Sequence, residues 1–154
     1  MIDYLTAGKL LKNYFGALKD LKDAGITSNK KDFTSQIGEW FVSELYGGVK
    51  ATNSIQKDWD IMLGEKKIQV KTHAKSITNF NRKTPIKFNN EAKIDELIII
   101  IFTEDYNLKE FYKVPWLDAL PLIKRNKGAD IIHWDHLHKF KIYGTNLKYL
   151  TENC

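Results

Sequence analysis

The chain has a single cysteine, no repeated segment and no long apolar stretch. Cys154 is the last of 154 residues, so no disulfide can form within the chain, and a reducing compartment is expected. The longest apolar run, Leu97–Phe102, has six residues, far short of the roughly 20 that a membrane-spanning helix needs. Nothing near the N-terminus resembles a signal peptide, so we expect a cytoplasmic protein without a membrane partner.

Length and charge indicate one small basic domain. Residues 1–154 are enough to bury a hydrophobic core without disulfides, and we expect them to form a single domain. Lysine and arginine number 24 against 19 aspartates and glutamates, which gives a net charge of +5. This balance fits a polyanionic partner, although many small basic proteins bind no nucleic acid.

Two helices are predicted at the start of the chain. Apolar residues at helical spacing over residues 2–23 predict an amphipathic helix that ends before Gly25 and acts as a scaffold or dimer element. Ser35–Gly48 predicts a second helix, with Thr34 or Ser35 as its cap and a glycine pair at its end.

The remaining elements predict an α/β domain with a central mixed β-sheet flanked by helices. Val49–Ile55 is expected to be the first strand, and residues 76–93 lack periodicity and predict a long loop. Glu96–Phe102 is a β-branched run typical of a strand buried on both faces, and Lys109–Val114 returns beside it. A helix should follow over Pro115–Lys124, shortened or kinked by Pro121, with these side chains facing the sheet: Trp116, Leu117, Leu120 and Ile123.

The segment DIMLGEKKIQVK, residues 60–71, predicts a β-hairpin, because apolar and polar residues alternate along both arms. Gly64 is expected at the first central position of a type II′ turn. In that register Asp60 lies opposite Gln69, and both share one face with Lys71.

These side chains suit a hard divalent cation. Mg²⁺ prefers oxygen ligands, which Asp60, the Gln69 side-chain carbonyl and the Val70 main-chain carbonyl can supply. Lys71 would then stand beside the metal, orient a water and offset charge on a phosphate. The alternative is that Asp60 and Lys71 form a solvated cross-strand pair.

The second predicted helix carries Glu39 among apolar residues that leave little room for a solvated face. A carboxylate in that setting lies at the helix edge or points at a cationic group. A metal ion or Lys71 would satisfy it.

The residues resemble the PD-(D/E)XK nuclease superfamily over about residues 30–115. The segments that carry the resemblance are Gly38-Glu39, Lys57-Asp58-Trp59-Asp60 and Ile68-Gln69-Val70-Lys71-Thr72. The resemblance implies a restriction-endonuclease-like core in which Asp60 binds Mg²⁺, or Mn²⁺, and Gln69 completes the metal site. It also implies that Lys71 assists the hydrolytic water, with Glu39 as the helix glutamate that many members add.

The sequence departs from the superfamily pattern at two points. Gln69 stands where the usual acid precedes the lysine by two residues, which removes a negative charge from the metal site. The proline-aspartate pair is absent, so Asp58 stays a second candidate for the metal acid, or a salt-bridge partner of Lys71.

The expected function is therefore Mg²⁺-dependent cleavage of DNA, of the restriction or junction-resolving type, without a small-molecule cofactor. Cutting both strands needs two active sites, which predicts a homodimer. The alternatives are a catalytically degraded nucleic-acid-binding module, an RNase toxin on the same fold, or an unrelated α/β protein. The residues expected to contact nucleic acid are His73, Lys75, Arg82, Lys83 and Lys87. The alternative is that they belong to a solvated surface loop.

The segment His133–His138 contains three imidazoles and a carboxylate, which are good zinc ligands. Their spacing is loose and no cysteine lies nearby. An exposed polar turn is therefore the expectation.

Overall fold

A computed structural model of the protein describes residues 3–29, 32–51, 58–74, 81–87 and 93–143. The α-helices are α1 (Tyr4–Asp23), α2 (Phe33–Tyr46) and α3 (Trp116–Ala119). The strands are β1 (Val49–Lys50), β2 (Ile61–Leu63), β3 (Lys66–Ala74), β4 (Lys83–Ile86), β5 (Glu96–Phe102), β6 (Leu108–Pro115), β7 (Ile123–Lys124), β8 (Asp130–His133) and β9 (Lys141–Ile142). Short 3₁₀ turns cover Leu120–Leu122, Trp134–His136 and His138–Phe140.

Six strands form a mixed sheet in the order β1-β2-β3-β5-β6-β9. Its central pair, β3 and β5, is parallel, and the other neighbours are antiparallel. A second, antiparallel sheet has the order β4-β8-β7. The predicted mixed α/β class is confirmed, whereas the second sheet was not predicted.

The large sheet separates two hydrophobic cores. All seven residues of β5 are buried, as predicted for a strand covered on both faces. Ile98 and Ile100 pack in the core that contains α2, and Leu97 and Ile99 pack in the core that contains β8. Because side chains alternate along a strand, one face of the central strands packs in the core with α2 and the other face packs in the core with β8.

The hairpin has the predicted register. Ile61 pairs with Ile68 and Leu63 with Lys66. Gly64 has a φ of +60°, a conformation that the first central position of a type II′ turn requires and that glycine adopts without strain.

Helix α1 begins two residues later than predicted, at Tyr4, and ends at Asp23, before Gly25, as predicted. Its cap is Asp3, whose Oδ1 accepts a hydrogen bond from the Thr6 N–H at 2.9 Å. Most of its described side chains are exposed. Within the described ranges, no helix is both long and apolar enough to cross a membrane.

The predicted N-terminal cap of α2, Thr34 or Ser35, was wrong. The helix begins two residues earlier than Ser35, and the capping position is Asp32, whose carbonyl accepts the Gln36 N–H at 3.0 Å. Asp32 has a φ of +48°, and its side chain makes no capping bond to the described part of the helix. The end was predicted correctly, since Gly47 caps it with a φ of +73°.

The prediction of a long loop over residues 76–93 was wrong where β4 forms. β4 pairs with β8 at the edge of the small sheet, and Pro85 is tolerated there because an edge strand need not donate every N–H. The first strand is described only as Val49–Lys50, and residues 52–57 lie outside the described chain.

The predicted helix over Pro115–Lys124 was wrong in its length. Pro121 lacks an N–H, and α3 ends at Ala119, before a 3₁₀ turn and β7. Trp116 is buried as expected, but Leu117 is 81% exposed and does not face the sheet.

The expectation of an exposed polar turn around His133–His138 was wrong in part. Trp134 and Leu137 are buried in the core beneath the small sheet, so the turn is anchored by its apolar residues. The rings of His133 and His136 lie 6.2 Å apart, edge to face.

Candidate active site

Asp60 lies directly before β2, beside the edge of β3. Its N–H donates to the Ile68 carbonyl at 2.9 Å, and its Oδ2 accepts the Val70 N–H at 2.7 Å. The N–H and C=O of one strand residue point to the same side. The Val70 carbonyl is therefore directed to the edge where Asp60 lies, which joins two of the predicted metal ligands.

Gln69 and Lys71 lie on the face of β3 opposite α2, because they alternate with Val70, which packs in the α2 core. Gln69 is 6% exposed, and its Oε1 is buried without a hydrogen-bond partner among the described residues. Leaving such an atom unpaired costs about 1–3 kcal/mol. A cation at this oxygen would remove that penalty.

Helix α2 packs against β3 at Gly38. A Cβ built at this position would lie 1.8 Å from Thr72 Oγ1, so only glycine permits the approach. Thr72 Oγ1 is itself buried and finds no hydrogen-bond partner within the described chain. This contact holds the next residue, Glu39, beside the edge of β3.

Burial and the negative charge of Asp60 raise the pKa of Glu39 to about 7, while Lys50 and Lys71 act in the opposite direction. Burial also raises the pKa of Asp60, against the hydrogen bond from Val70 and the charge of Lys71. The two acids and Lys71 therefore interact across the edge of β3. A divalent cation between the acids would favour their ionised forms.

The donor set matches a hard cation better than zinc. Within the described residues, no group of three or more His, Cys, Asp or Glu side chains is placed to hold a metal ion. The predicted site has two acids, Glu39 and Asp60, and adds the oxygens of Gln69 and Val70. Carboxylate and carbonyl oxygens are ligands that Mg²⁺ and Mn²⁺ accept. The three histidines and the aspartate of His133–His138, all within the described chain, are likewise not grouped to hold zinc.

Asp58, the second candidate for the metal acid, is half-buried. No ion pair joins it to Lys71 in the part of the chain that the structure describes. Asp60 is the acid that the geometry favours, because it is bonded to Val70 and interacts with Glu39.

Arg82, predicted to contact nucleic acid, is engaged by acidic side chains. Its guanidinium donates to both carboxylate oxygens of Glu110, at 3.0 and 3.1 Å, and to Asp135 at 2.7 Å. It also lies 5.4 Å from the ring of Trp134. These bonds raise the pKa of Arg82 and connect β6 to the segments around the small sheet.

His73 lies between the two sheets. Its Nε2 is 2.8 Å from Thr84 Oγ1, which also accepts the Trp134 Nε1–H at 2.8 Å. The rings of His73 and Trp134 are 5.3 Å apart. His73 therefore makes packing and hydrogen-bond contacts that connect β3 to β4.

Lys71 and Lys87 line the same open cleft, which has a volume of about 570 Å³. Lys83 is half-buried on β4, and Lys75 lies outside the described residues, as do Lys57 and Cys154. The other lining residues are Pro85, Ile86, Asn126, Gly128, Ala129 and Asp130.

The turn between β7 and β8, residues 125–129, was missed in the sequence. Its signal in the sequence is the basic run KRNKG, residues 124–128. The helix predicted over Pro115–Lys124 reaches this run, so no turn was predicted there. Only the pairing of β8 with β4 brings this turn beside Lys71.

The structure thus joins Asp60 to the Val70 N–H at the edge of β3 and brings Glu39 and Lys71 within electrostatic range of each other, whereas Gln69 lies with Lys71 on the face of β3 opposite α2. Arg82 and His73 lie apart, in the contacts between sheets. No protein-family model matches the chain, and no curated protein matches its sequence.

Proposed function

We propose that the protein is a Mg²⁺-dependent endonuclease that hydrolyses phosphodiester bonds in DNA, in the cytoplasm. One observation carries the proposal: Glu39 and Asp60 interact with each other and with Lys71, which lines an open cleft on the same face of β3 as Gln69, whose buried amide oxygen has no partner among the described residues. A site with oxygen donors next to a cation suits metal-assisted hydrolysis of a phosphate ester.

The residues divide into ligands and a lysine that acts on the phosphate. Asp60, Glu39, Gln69 and the Val70 carbonyl would hold the cation, which when bound supplies Lewis-acid polarisation of a phosphate oxygen. Lys71 donates hydrogen bonds to the phosphate, offsets the charge that develops on it and orients the attacking water. The raised pKa of Glu39 makes its ionisation, and hence metal binding, favoured above neutral pH.

Cleavage of defined substrates tests this proposal. Supercoiled plasmid, linear duplex, a four-way junction, single-stranded DNA and RNA are incubated with the protein in Mg²⁺ or Mn²⁺. The wild type should cleave DNA, and Lys71→Ala should cleave it about 100-fold more slowly, as when one charge-stabilising donor is removed. Lys12→Ala on α1 is the control and should keep the wild-type rate.

Metal-independent cleavage, or equal rates for the wild type and Lys71→Ala, would contradict the proposal. Preference for the junction would identify a resolving enzyme, and preference for plasmid and linear duplex a restriction-type enzyme. Cleavage of RNA alone would favour the RNase alternative.

The proposed enzyme is a homodimer, because cutting both strands of a duplex requires two sites. Helix α1 supplies a surface for the second copy. Its large apolar side chains are more than half exposed at Leu5, Leu10, Leu11, Tyr14 and Phe15. Four of them, Leu10, Leu11, Tyr14 and Phe15, have the spacing of one helix face, and an exposed apolar face is typical of association sites.

A non-catalytic nucleic-acid-binding module is the second candidate. Gln69 favours it, because an amide in place of the usual acid leaves the site with only two carboxylates. In that case the protein binds DNA but neither binds Mg²⁺ through Asp60 nor cleaves. Gln69→Glu, which restores the acid, would then be expected to gain metal binding.

A further inference from the structure

The turn between β7 and β8 and the end of β4 line one wall of the cleft, the turn through Asn126, Gly128 and Ala129. In the small sheet, Ile86 pairs with Asp130 and Lys124 pairs with Ile131. This register places Lys87, which follows β4, at the same end of the sheet as the turn. Three basic residues accompany the turn: Lys124, Arg125 and Lys127.

Hydrogen bonds within the turn fix its shape. The Asn126 N–H donates to Asp130 Oδ1 at 3.3 Å, and Asn126 Oδ1 accepts the Lys127 N–H at 2.9 Å. Arg125 Nη1 lies 3.5 Å from Asp130 Oδ2. The turn is thus braced before any ligand arrives, and a preorganised contact loses little conformational entropy on binding.

The contacts within the turn do not neutralise all of its positive charge. Asp130 is occupied by Arg125, whereas Lys124 and Lys127 form no ion pair with the described residues. Both lysines are exposed, as is Lys87. Lys71 and Lys87 therefore line the cleft, Lys124 and Lys127 belong to the segment whose neighbouring residues line it, and the one acid of the lining, Asp130, is paired with Arg125.

We propose that this turn, through Lys124 and Lys127, binds backbone phosphates of DNA next to the phosphate that Lys71 contacts. The inference rests on the proposed function for its substrate. Lysine side chains contact backbone phosphates regardless of sequence, and such contacts set the position of the duplex on the protein. The turn would therefore contribute affinity and register rather than base specificity.

The test is the salt dependence of binding without catalysis. A fluorescein-labelled duplex is titrated with protein in EDTA, fluorescence anisotropy gives the binding constant, and the titration is repeated over a series of KCl concentrations. Each phosphate contact contributes about 0.9 to the slope of log K against log salt, so Lys124→Ala/Lys127→Ala should make the slope shallower by about 1.8. Lys9→Ala/Lys12→Ala, which removes two exposed lysines of α1, should keep the wild-type slope.

An unchanged slope in Lys124→Ala/Lys127→Ala, or an equal loss in the α1 control, would overturn the inference. Because EDTA removes the metal, the result does not depend on cleavage. A wild type that never cleaves but shows the expected slope change refutes the nuclease and keeps the phosphate-binding turn. A wild type that cleaves DNA, with no slope change in Lys124→Ala/Lys127→Ala, keeps the nuclease and refutes the phosphate-binding turn.

Discussion

Two residues of the candidate site, Gln69 and Glu39, have features that lower the free energy of unfolding. Gln69 buries an oxygen for which the described residues provide no hydrogen-bond donor, and the fold raises the pKa of Glu39 to about 7. A residue selected for stability alone would avoid both features, since each opposes folding. Such penalties are typical of positions that await a ligand.

The raised pKa of Glu39 predicts a pH-dependent effect of Glu39→Gln. The folded chain holds this proton more tightly than the unfolded chain, so wild-type stability falls as pH rises from about 4.5 to about 7. One pKa unit is worth about 1.4 kcal/mol. After a discount for solvent screening, Glu39→Gln should exceed the wild type by roughly 2 kcal/mol at pH 8 and match it at pH 4.

Urea unfolding in EDTA across this pH range measures the difference. Glu65→Gln removes the same charge from the exposed tip of the hairpin and serves as the control. A difference between Glu39→Gln and the wild type that does not vary with pH would refute the assignment of a raised pKa to Glu39.

The approach of α2 to β3 predicts that Gly38→Ala destabilises the fold. Its Cβ would overlap Thr72 Oγ1, and overpacking of this kind costs about 1–3 kcal/mol despite the better helix propensity of alanine. Gly8→Ala in α1 is the matched control, because no atom of the described residues lies within 4 Å of its Cβ, and it should stabilise by up to ~1 kcal/mol.

Thermal unfolding of both variants and of Gly38→Ala/Thr72→Ala distinguishes steric overlap from a general intolerance of change. The second substitution removes the nearest atom and should recover part of the loss. If Gly38→Ala were as stable as Gly8→Ala, the close contact would not exist in solution.

At the scale of elements, the sequence pattern predicted those elements that depend on residues close together in the sequence. The hairpin register, the end of α2 at its glycines and the buried β5 were read correctly, because each depends on neighbours in sequence. β4, β7 and β8 were not, because they pair across more than 40 residues or lie within a stretch of helical periodicity. The position of α2 over β3 likewise depends on Gly38 meeting Thr72, which no sequence pattern reveals.

Contacts between elements explain why Arg82 was misjudged as a surface residue. Its partner Glu110 lies 28 residues away on β6, so the sequence gives no sign of the pair. Arg82→Ala should destabilise the protein by about 2–3 kcal/mol, because it removes both guanidinium bonds from a mostly buried carboxylate and leaves it Lys141 at 3.6 Å and the Tyr112 hydroxyl at 3.2 Å. Lys83→Ala, the adjacent half-buried cation, should change stability by less than ~0.5 kcal/mol.

Urea denaturation provides the measurement for both variants. Arg82→Lys is informative beside them, since an ammonium cannot make the paired bonds to Glu110 and should recover little of the stability. Equal stabilities of Arg82→Ala and Lys83→Ala would show that the ion pair does not link the sheets.

At the scale of the whole molecule, one helix has little of its surface covered. α1 exposes its apolar residues, whereas α2 buries its own in the core. We expect light scattering after size exclusion to give twice the chain mass of 17.9 kDa. Leu11→Glu/Phe15→Glu should give the monomer mass, and a monomeric wild type would refute the predicted homodimer.

The central claim is that Glu39, Asp60, Gln69 and the Val70 carbonyl form one site for a hard cation. Calorimetric titration with Mg²⁺ and Mn²⁺ tests it most directly. The wild type should bind one ion per site at pH 8, Asp118→Ala on the exposed surface of α3 should bind likewise, and Asp60→Ala should not bind. Metal binding that survives in Asp60→Ala, or its absence from the wild type, would contradict the claim.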